Sequence, residues 1–176
     1  MRLGILVCGP SGVGKSSHIK EITKEAPVFL IDPDKLEGSH TEQSKKAMEL
    51  VEESIQDKKS FVFVGTCGGM QIIKSLLKKM KKNTFKTVVA IVYTSLPNAL
   101  KRIKDRPEQP VTEDVTKDLH AFFKTKAERY MNLADIDELY LYSNETDFKL
   151  LLSKKKKKIV CQSSDSEFYF DISKYC

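Results

Sequence analysis

Apolar residues along the chain follow two alternating rhythms. Short unbroken runs, Leu3–Cys8, Val28–Ile31, Phe61–Val64, Val88–Tyr93 and the weaker Leu139–Tyr142, are rich in β-branched and aromatic side chains and predict strands. Between them apolar positions recur at helical spacing. Ala47, Leu50, Val51, Ser54 and Ile55 share one face, and so do Ile72, Ile73, Leu76, Leu77 and Met80. Lys15–Glu25 and Leu96–Lys104 are further expected helices. Strands that alternate with helices predict a mostly parallel sheet with helices on both faces and right-handed crossovers, a three-layer α/β architecture. No internal repeat or Gly/Ser-rich linker divides the chain. Residues 1–152 are expected as one domain. Residues 153–176 are expected as a basic extension, with Lys158–Gln162 and Glu167–Asp171 as a hairpin about Ser163–Ser166 packed on that domain.

Composition narrows this picture. The 176 residues, 40% hydrophobic and 31% charged, suffice for one domain with a core. No run reaches the ~20 apolar residues that a membrane helix needs. Glycine and proline break the amino-terminal apolar run where an export signal would continue. Cys8, Cys67, Cys161 and Cys176 are widely spaced and form no CxxC pair, so free thiols in a reducing cytoplasm or nucleus are expected, without a zinc site. Net charge is +6, and Lys154–Lys158 supply five of those charges. This tract and Lys78–Lys86 read either as solvated surface or as contacts for a polyanion such as nucleic acid.

One stretch carries specific chemistry. Gly9-Pro10-Ser11-Gly12-Val13-Gly14-Lys15-Ser16 matches GxxxxGK[ST], after an expected strand and before an expected helix. Glycines let successive backbone N–H groups turn inward around a phosphate, and the helix that follows adds its positive end. Residues 9–17, including Ser17, are therefore expected to bind ATP. Lys15 would neutralise the terminal phosphates, and Ser16 would offer its hydroxyl to Mg2+. The expected fold is then a three-layer P-loop NTPase fold with a short lid.

Phosphoryl transfer needs a base, cations and a lid as well. The strand ending at Ile31 runs into Asp32-Pro33-Asp34, at the strand end that borders the ligand crevice of an open α/β sheet. The two carboxylates read as base and metal partner, or as a turn and the cap of the next helix. Arg102 and Arg106 stand four apart before the loop Pro107–Thr112, where they either grip the triphosphate beneath a lid or end a solvated helix. Val64-Gly65-Thr66-Cys67-Gly68-Gly69 allows close ligand approach, with Thr66 as a donor to the acceptor and Cys67 as an incidental thiol. His40 is a candidate for the acceptor site. His18 and His120 are expected on helices as surface or packing residues.

The order of these blocks resembles the P-loop kinases that include phage-type polynucleotide 5′-kinase and the zeta toxins, over about residues 3–133. The resemblance places the general base on Asp34, within IDPDKL, and the lid arginines on Arg102 and Arg106, within KRIKDRPEQPVTEDV. VFVGTCGG is similar to the zeta-like "GT" and implies acceptor binding by Thr66. The chain departs from the polynucleotide kinases near Glu37, an acid where that group carries an arginine for the acceptor's 3′ side. Val111-Thr112 stands where Val-Pro is common, with Pro110 one place earlier. The expectation is an ATP- and Mg2+-dependent kinase whose acceptor is a hydroxyl of a nucleic-acid 5′-end, a nucleoside or a nucleotide-sugar. A nucleotide-binding switch or nucleic-acid adaptor, and a nucleoside monophosphate kinase, are the alternative readings.

Overall fold

A computed structural model describes residues 1–106, 111–163 and 167–176. The apolar runs become strands β1 (Arg2–Cys8), β2 (Phe29–Ile31), β3 (Phe61–Gly65), β4 (Phe85–Tyr93) and β5 (Glu138–Ser143), followed by β6 (Lys149–Lys155) and β7 (Lys158–Cys161). They form one sheet in the order β2-β3-β1-β4-β5-β6-β7. The first five are parallel, and β6 and β7 run antiparallel. The pleat of β1 splits the core in two. Ile5 and Val7 join Val62, Val64, Val88, Ala90 and Val92 on one face, while Leu6 and Cys8 join Ile31, Val89 and Ile91 on the other.

The helices are α1 (Ile19–Thr23), α2 (His40–Gln56), α3 (Met70–Lys82), α4 (Leu96–Lys104) and α5 (Glu113–Lys124). α2 and α3 bury the expected apolar stripes on the Leu6 face, with one correction. Ile72 is 62% exposed, and Met70 takes its place in the core. Ser39 and Glu42 close a capping box at the start of α2, each satisfying a donor of the other.

The opposite face has a thinner cover. The expected helix Lys15–Glu25 is a 3-10 turn, Ser16–His18, followed by the five-residue α1. Left-handed Lys24 and Glu25, φ 52° and 59°, stop it. Ile19 and Ile22 alone cannot cover the sheet there, and aromatic rings extend the layer. His18 stacks on Phe148 with ring centroids 3.9 Å apart, and Phe148 stacks on Tyr142 at 4.8 Å.

The carboxy-terminal region differs from expectation. Lys158–Cys161 is a strand, but its partner is Lys149–Lys155 rather than Glu167–Asp171. The run Leu150-Leu151-Leu152 supplies the apolar partner, and the turn lies inside the lysine tract, at Lys156-Lys157 with Lys156 at φ 55°. Residues 164–166 of the expected turn lie outside the described residues. Tyr169 and Ile172 instead bury into the core, and the Tyr169 hydroxyl donates to Val92 O at 2.9 Å.

Register fixes where the lysines sit. Lys155 pairs with Glu138 at the start of β5, whereas the phosphate-loop motif follows the end of β1. A seven-residue strand separates the two ends of the sheet by roughly 20 Å. Lys155 and Lys86 both pair with Glu138, at 3.7 and 2.7 Å. Among the described residues no helix is long and apolar enough to cross a membrane. The expectation of free thiols is overturned, because Cys8 is bonded to Cys67 and Cys161 to Cys176. Cysteines remote in sequence meet here because β1 lies beside β3, with the left-handed turn at Cys67, and because the chain end returns to β7.

Candidate functional site

The site is built where β1 ends. Val13, fully buried, anchors the loop that follows to the core. Gly12 and Gly14 adopt φ 78° and 89°. A Cβ on Gly12 would meet Ala99 O of α4 at 2.6 Å, and one on Gly14 would meet the Asn144 amide nitrogen at 2.2 Å. Both positions therefore require glycine for conformation and for space.

Lys15 folds back over its own loop and donates to Gly9 O and Pro10 O, each at 2.8 Å. Burial pushes its ammonium down to about 8, against the opposing pull of Asp34 and then Asp32, with Arg106 lowering it further. The charges of Asp34, Asp32 and Arg106 thus converge on Lys15.

Across the loop, the Ser16 hydroxyl donates to Asp32 Oδ2 at 2.8 Å. Asp32 is buried and also accepts the Asp34 N–H at 3.2 Å, capping the 3-10 turn Pro33–Lys35. Asp34 is exposed at the lip and is not the cap of the long helix, a task that falls to Ser39. Among the described residues no three His, Cys, Asp or Glu side chains converge on a metal position. One hydroxyl beside one carboxylate fits Mg2+, which keeps several waters and takes phosphate oxygens as ligands.

Thr66 is exposed just past β3. Cys67 follows in a left-handed conformation, φ 53°, its carbonyl accepting the buried Tyr130 hydroxyl. His40 is exposed at the first turn of α2. His120 is a packing residue, its Nε2 2.9 Å from Thr94 O.

The two arginines do different things. Arg102 donates to Asn144 O at 2.6 Å and to Val13 O at 3.4 Å, so it grips the back of the loop. Arg106 lies just beyond the end of α4 and is exposed. Residues 107–110 of the expected lid loop lie outside the described residues.

Asn144 and Glu145, after β5, were missed from the sequence. Asn144 Nδ2 donates to Val13 O at 2.9 Å across 131 residues. Glu145 accepts from Ser95 N and Ser95 Oγ at 2.6 Å, from Thr94 Oγ1 and from Asn98. Burial opposes its charge, yet these hydrogen bonds and the Arg102 guanidinium hold its carboxyl below the usual range. No local pattern marks either residue. The signal is spatial, namely the strand-end loop beside the topological switch point.

The family model of the AAA domain matches residues 5–128. Comparison with curated proteins finds no match. Among solved structures, the AvrRxo1-ORF1:AvrRxo1-ORF2 assembly with ATP aligns at TM-score 0.71 and 15% identity, over 92% of this chain and 61% of that one. The PezAT chromosomal toxin-antitoxin system of Streptococcus pneumoniae aligns at TM-score 0.60 and 19% identity, over 84% of this chain and 70% of that one. The chain thus spans about three fifths (61%) of the AvrRxo1 structure's length. At these identities the likeness speaks for the fold alone. With its phosphate loop at the end of β1 and a family model matching most of its length, the chain belongs to the AAA-domain family.

Proposed function

We propose that the protein is an ATP-dependent kinase that phosphorylates a hydroxyl of a small-molecule acceptor. One observation carries this reading. The Ser16 hydroxyl of the loop donates to Asp32 at 2.8 Å, and the same carboxylate accepts the Asp34 N–H at 3.2 Å, which sets Asp34 beside the loop. A triphosphate in the loop thereby faces a carboxylate across the cleft.

In the reaction the acceptor hydroxyl sits near Thr66 and gives its proton to the Asp34 carboxylate. Its oxygen bonds to the γ-phosphorus as the bond to the β-phosphate oxygen breaks and ADP leaves. Lys15 and Arg106 stabilise charge on the migrating phosphoryl. Lys15 must leave the carbonyls of Gly9 and Pro10 to do so, exchanging neutral acceptors for charged ones. Arg102 holds Val13 and with it the curvature of the loop. The Ser16 hydroxyl, with Asp32 behind it, would hold Mg2+, which would supply positive charge against the phosphates.

A small acceptor is favoured over a nucleic-acid 5′-end. The lysine tract lies at the opposite end of the sheet from Lys15, and exposed Glu37 lies close to Asp34 in the chain. Nucleosides and nucleotide-sugars are the first acceptors to try.

The test is transfer from labelled ATP to a panel of small hydroxyl acceptors and 5′-hydroxyl oligonucleotides. Asp34→Asn should lower turnover ~10²–10⁴-fold while the affinity for a non-hydrolysable ATP analogue stays within a few fold. A protein that binds the analogue but labels no acceptor, and whose D34N variant is indistinguishable from wild type, is a nucleotide switch instead.

A further inference from the structure

Cys8 and Cys67 are 59 residues apart in sequence, yet their Cα atoms lie 5.3 Å apart and their sulfurs are bonded. Strand pairing alone does not bring them together. In the parallel β1/β3 ladder the partner of Cys8 is Gly65. Cys67, two residues further on, meets Cys8 with its backbone in the left-handed region, uncommon for a residue with a side chain. Tyr130 holds its carbonyl.

The bond joins the end of β1, which leads into the phosphate loop, to the segment past β3, and these two segments form the lips of the cleft proposed above. Cys8 directly precedes Gly9, where the phosphate loop begins, and Cys67 directly follows Thr66. The other disulfide ties β7 to Cys176 and involves neither lip.

We propose that Cys8–Cys67 is a thiol–disulfide exchange site, reversible by a small dithiol, that sets the order of the phosphate loop. A reagent thiolate attacks the Cys67 sulfur, the bond to Cys8 breaks, and Cys8 leaves as a thiolate that takes up a proton. The second thiol of the reagent displaces Cys67, which is protonated in turn, and the reagent departs as a cyclic disulfide. Two electrons and two protons pass to the protein. Both residues are buried, Cys8 completely and Cys67 to 6% exposure, so exchange starts at Cys67 and requires local opening. With the bond intact both lips are held before any ligand arrives. Once it is reduced, ligand binding has to order them, so affinity falls.

The experiment uses the full chain carrying Cys161→Ser and Cys176→Ser, so that one disulfide remains. It is titrated with dithiothreitol under native conditions. Alkylation with intact mass counts the thiols, and hydrogen exchange follows the amides of residues 9–16 and 66–69. A non-hydrolysable ATP analogue reports affinity; this last readout rests on the triphosphate reading above, and the first two do not. Reduction should expose two alkylatable thiols in the folded protein, accelerate exchange at both lips and weaken the analogue at least about fivefold, the lower end of ordinary coupling. By reciprocity the analogue should make the bond harder to reduce, by about 30 mV for each tenfold of affinity. Cys67→Ser should match the reduced form and ignore the dithiol. If that variant does not fold, the titration decides alone. A bond that yields only when the fold melts, or whose reduction leaves exchange at both lips unchanged, overturns the proposal. If exchange responds while neither redox form binds the analogue, the exchange site stands and the kinase reading fails.

Discussion

Lys15 shows how much of the site's chemistry depends on one side chain's surroundings. Burial favours the neutral amine, and the carboxylates of Asp34 and Asp32 only partly restore the charge, leaving the group at about 8 in the free protein. A bound triphosphate favours the ammonium, so binding raises this value. Above pH 8 the free protein must take up a proton as it binds. Affinity for an ATP analogue should therefore fall by up to about tenfold per pH unit above 8. Calorimetry in buffers of different ionisation enthalpy should detect the proton uptake. Stability moves the other way. A lysine depressed in the fold destabilises the charged state, so the free protein should gain stability as pH rises from about 8 towards the unfolded value of 10.5. The motif residues at this scale were legible in the sequence because their spacing is itself the chemistry. Asn144 was not, because its partner Val13 is 131 residues away.

At the scale of elements, periodicity decided most of the outcome. Leu96–Lys104 is helical over the same residues that the sequence predicts. α3 buries Ile73, Leu76, Leu77 and Met80 as predicted, and its stripe turns Ile72 outward because Met70 enters the core one turn earlier. Leu77→Ala should cost ~2–5 kcal/mol, since the side chain is fully buried beneath the sheet. Ser39→Ala should cost ~1 kcal/mol by removing the cap of α2. Chemical denaturation of both variants checks the pair, and the ranking of the two losses separates core packing from capping. Ser39 caps α2 where the sequence reading offers Asp34, because the chain makes a separate 3-10 turn at Pro33–Lys35 before the helix begins. The short α1 was less legible in the sequence, because its end is set by left-handed Lys24 and Glu25 rather than by glycine or proline.

For the whole molecule, register separates two surfaces. The phosphate loop and its partners occupy the ends of the parallel strands β1 to β5, while the lysine hairpin lies at the start of β5. Lys156, Lys157 and Lys158 are exposed on that hairpin. Replacing these three by glutamine should leave transfer to a small acceptor within about twofold. If the hairpin binds a polyanion, the same change should flatten the salt dependence, by a slope of about 0.9 for each phosphate no longer neutralised. Measuring both on one variant tests whether the surfaces act independently, and a large loss of transfer would join them.

The sequence by itself determined the α/β class, the phosphate loop and the order of the first five strands with the helices between β1 and β4. Each of these rests on interactions between near neighbours, namely helical and strand periodicity, glycine conformation and a motif of eight residues. Only the tertiary structure decided that Lys158–Cys161 pairs with β6, that the four cysteines are joined in pairs, and that Asn144 and Arg102 brace the loop from behind. These choices link residues far apart in the chain. They follow from which surfaces remain to be covered once the sheet has formed, and no local pattern records that.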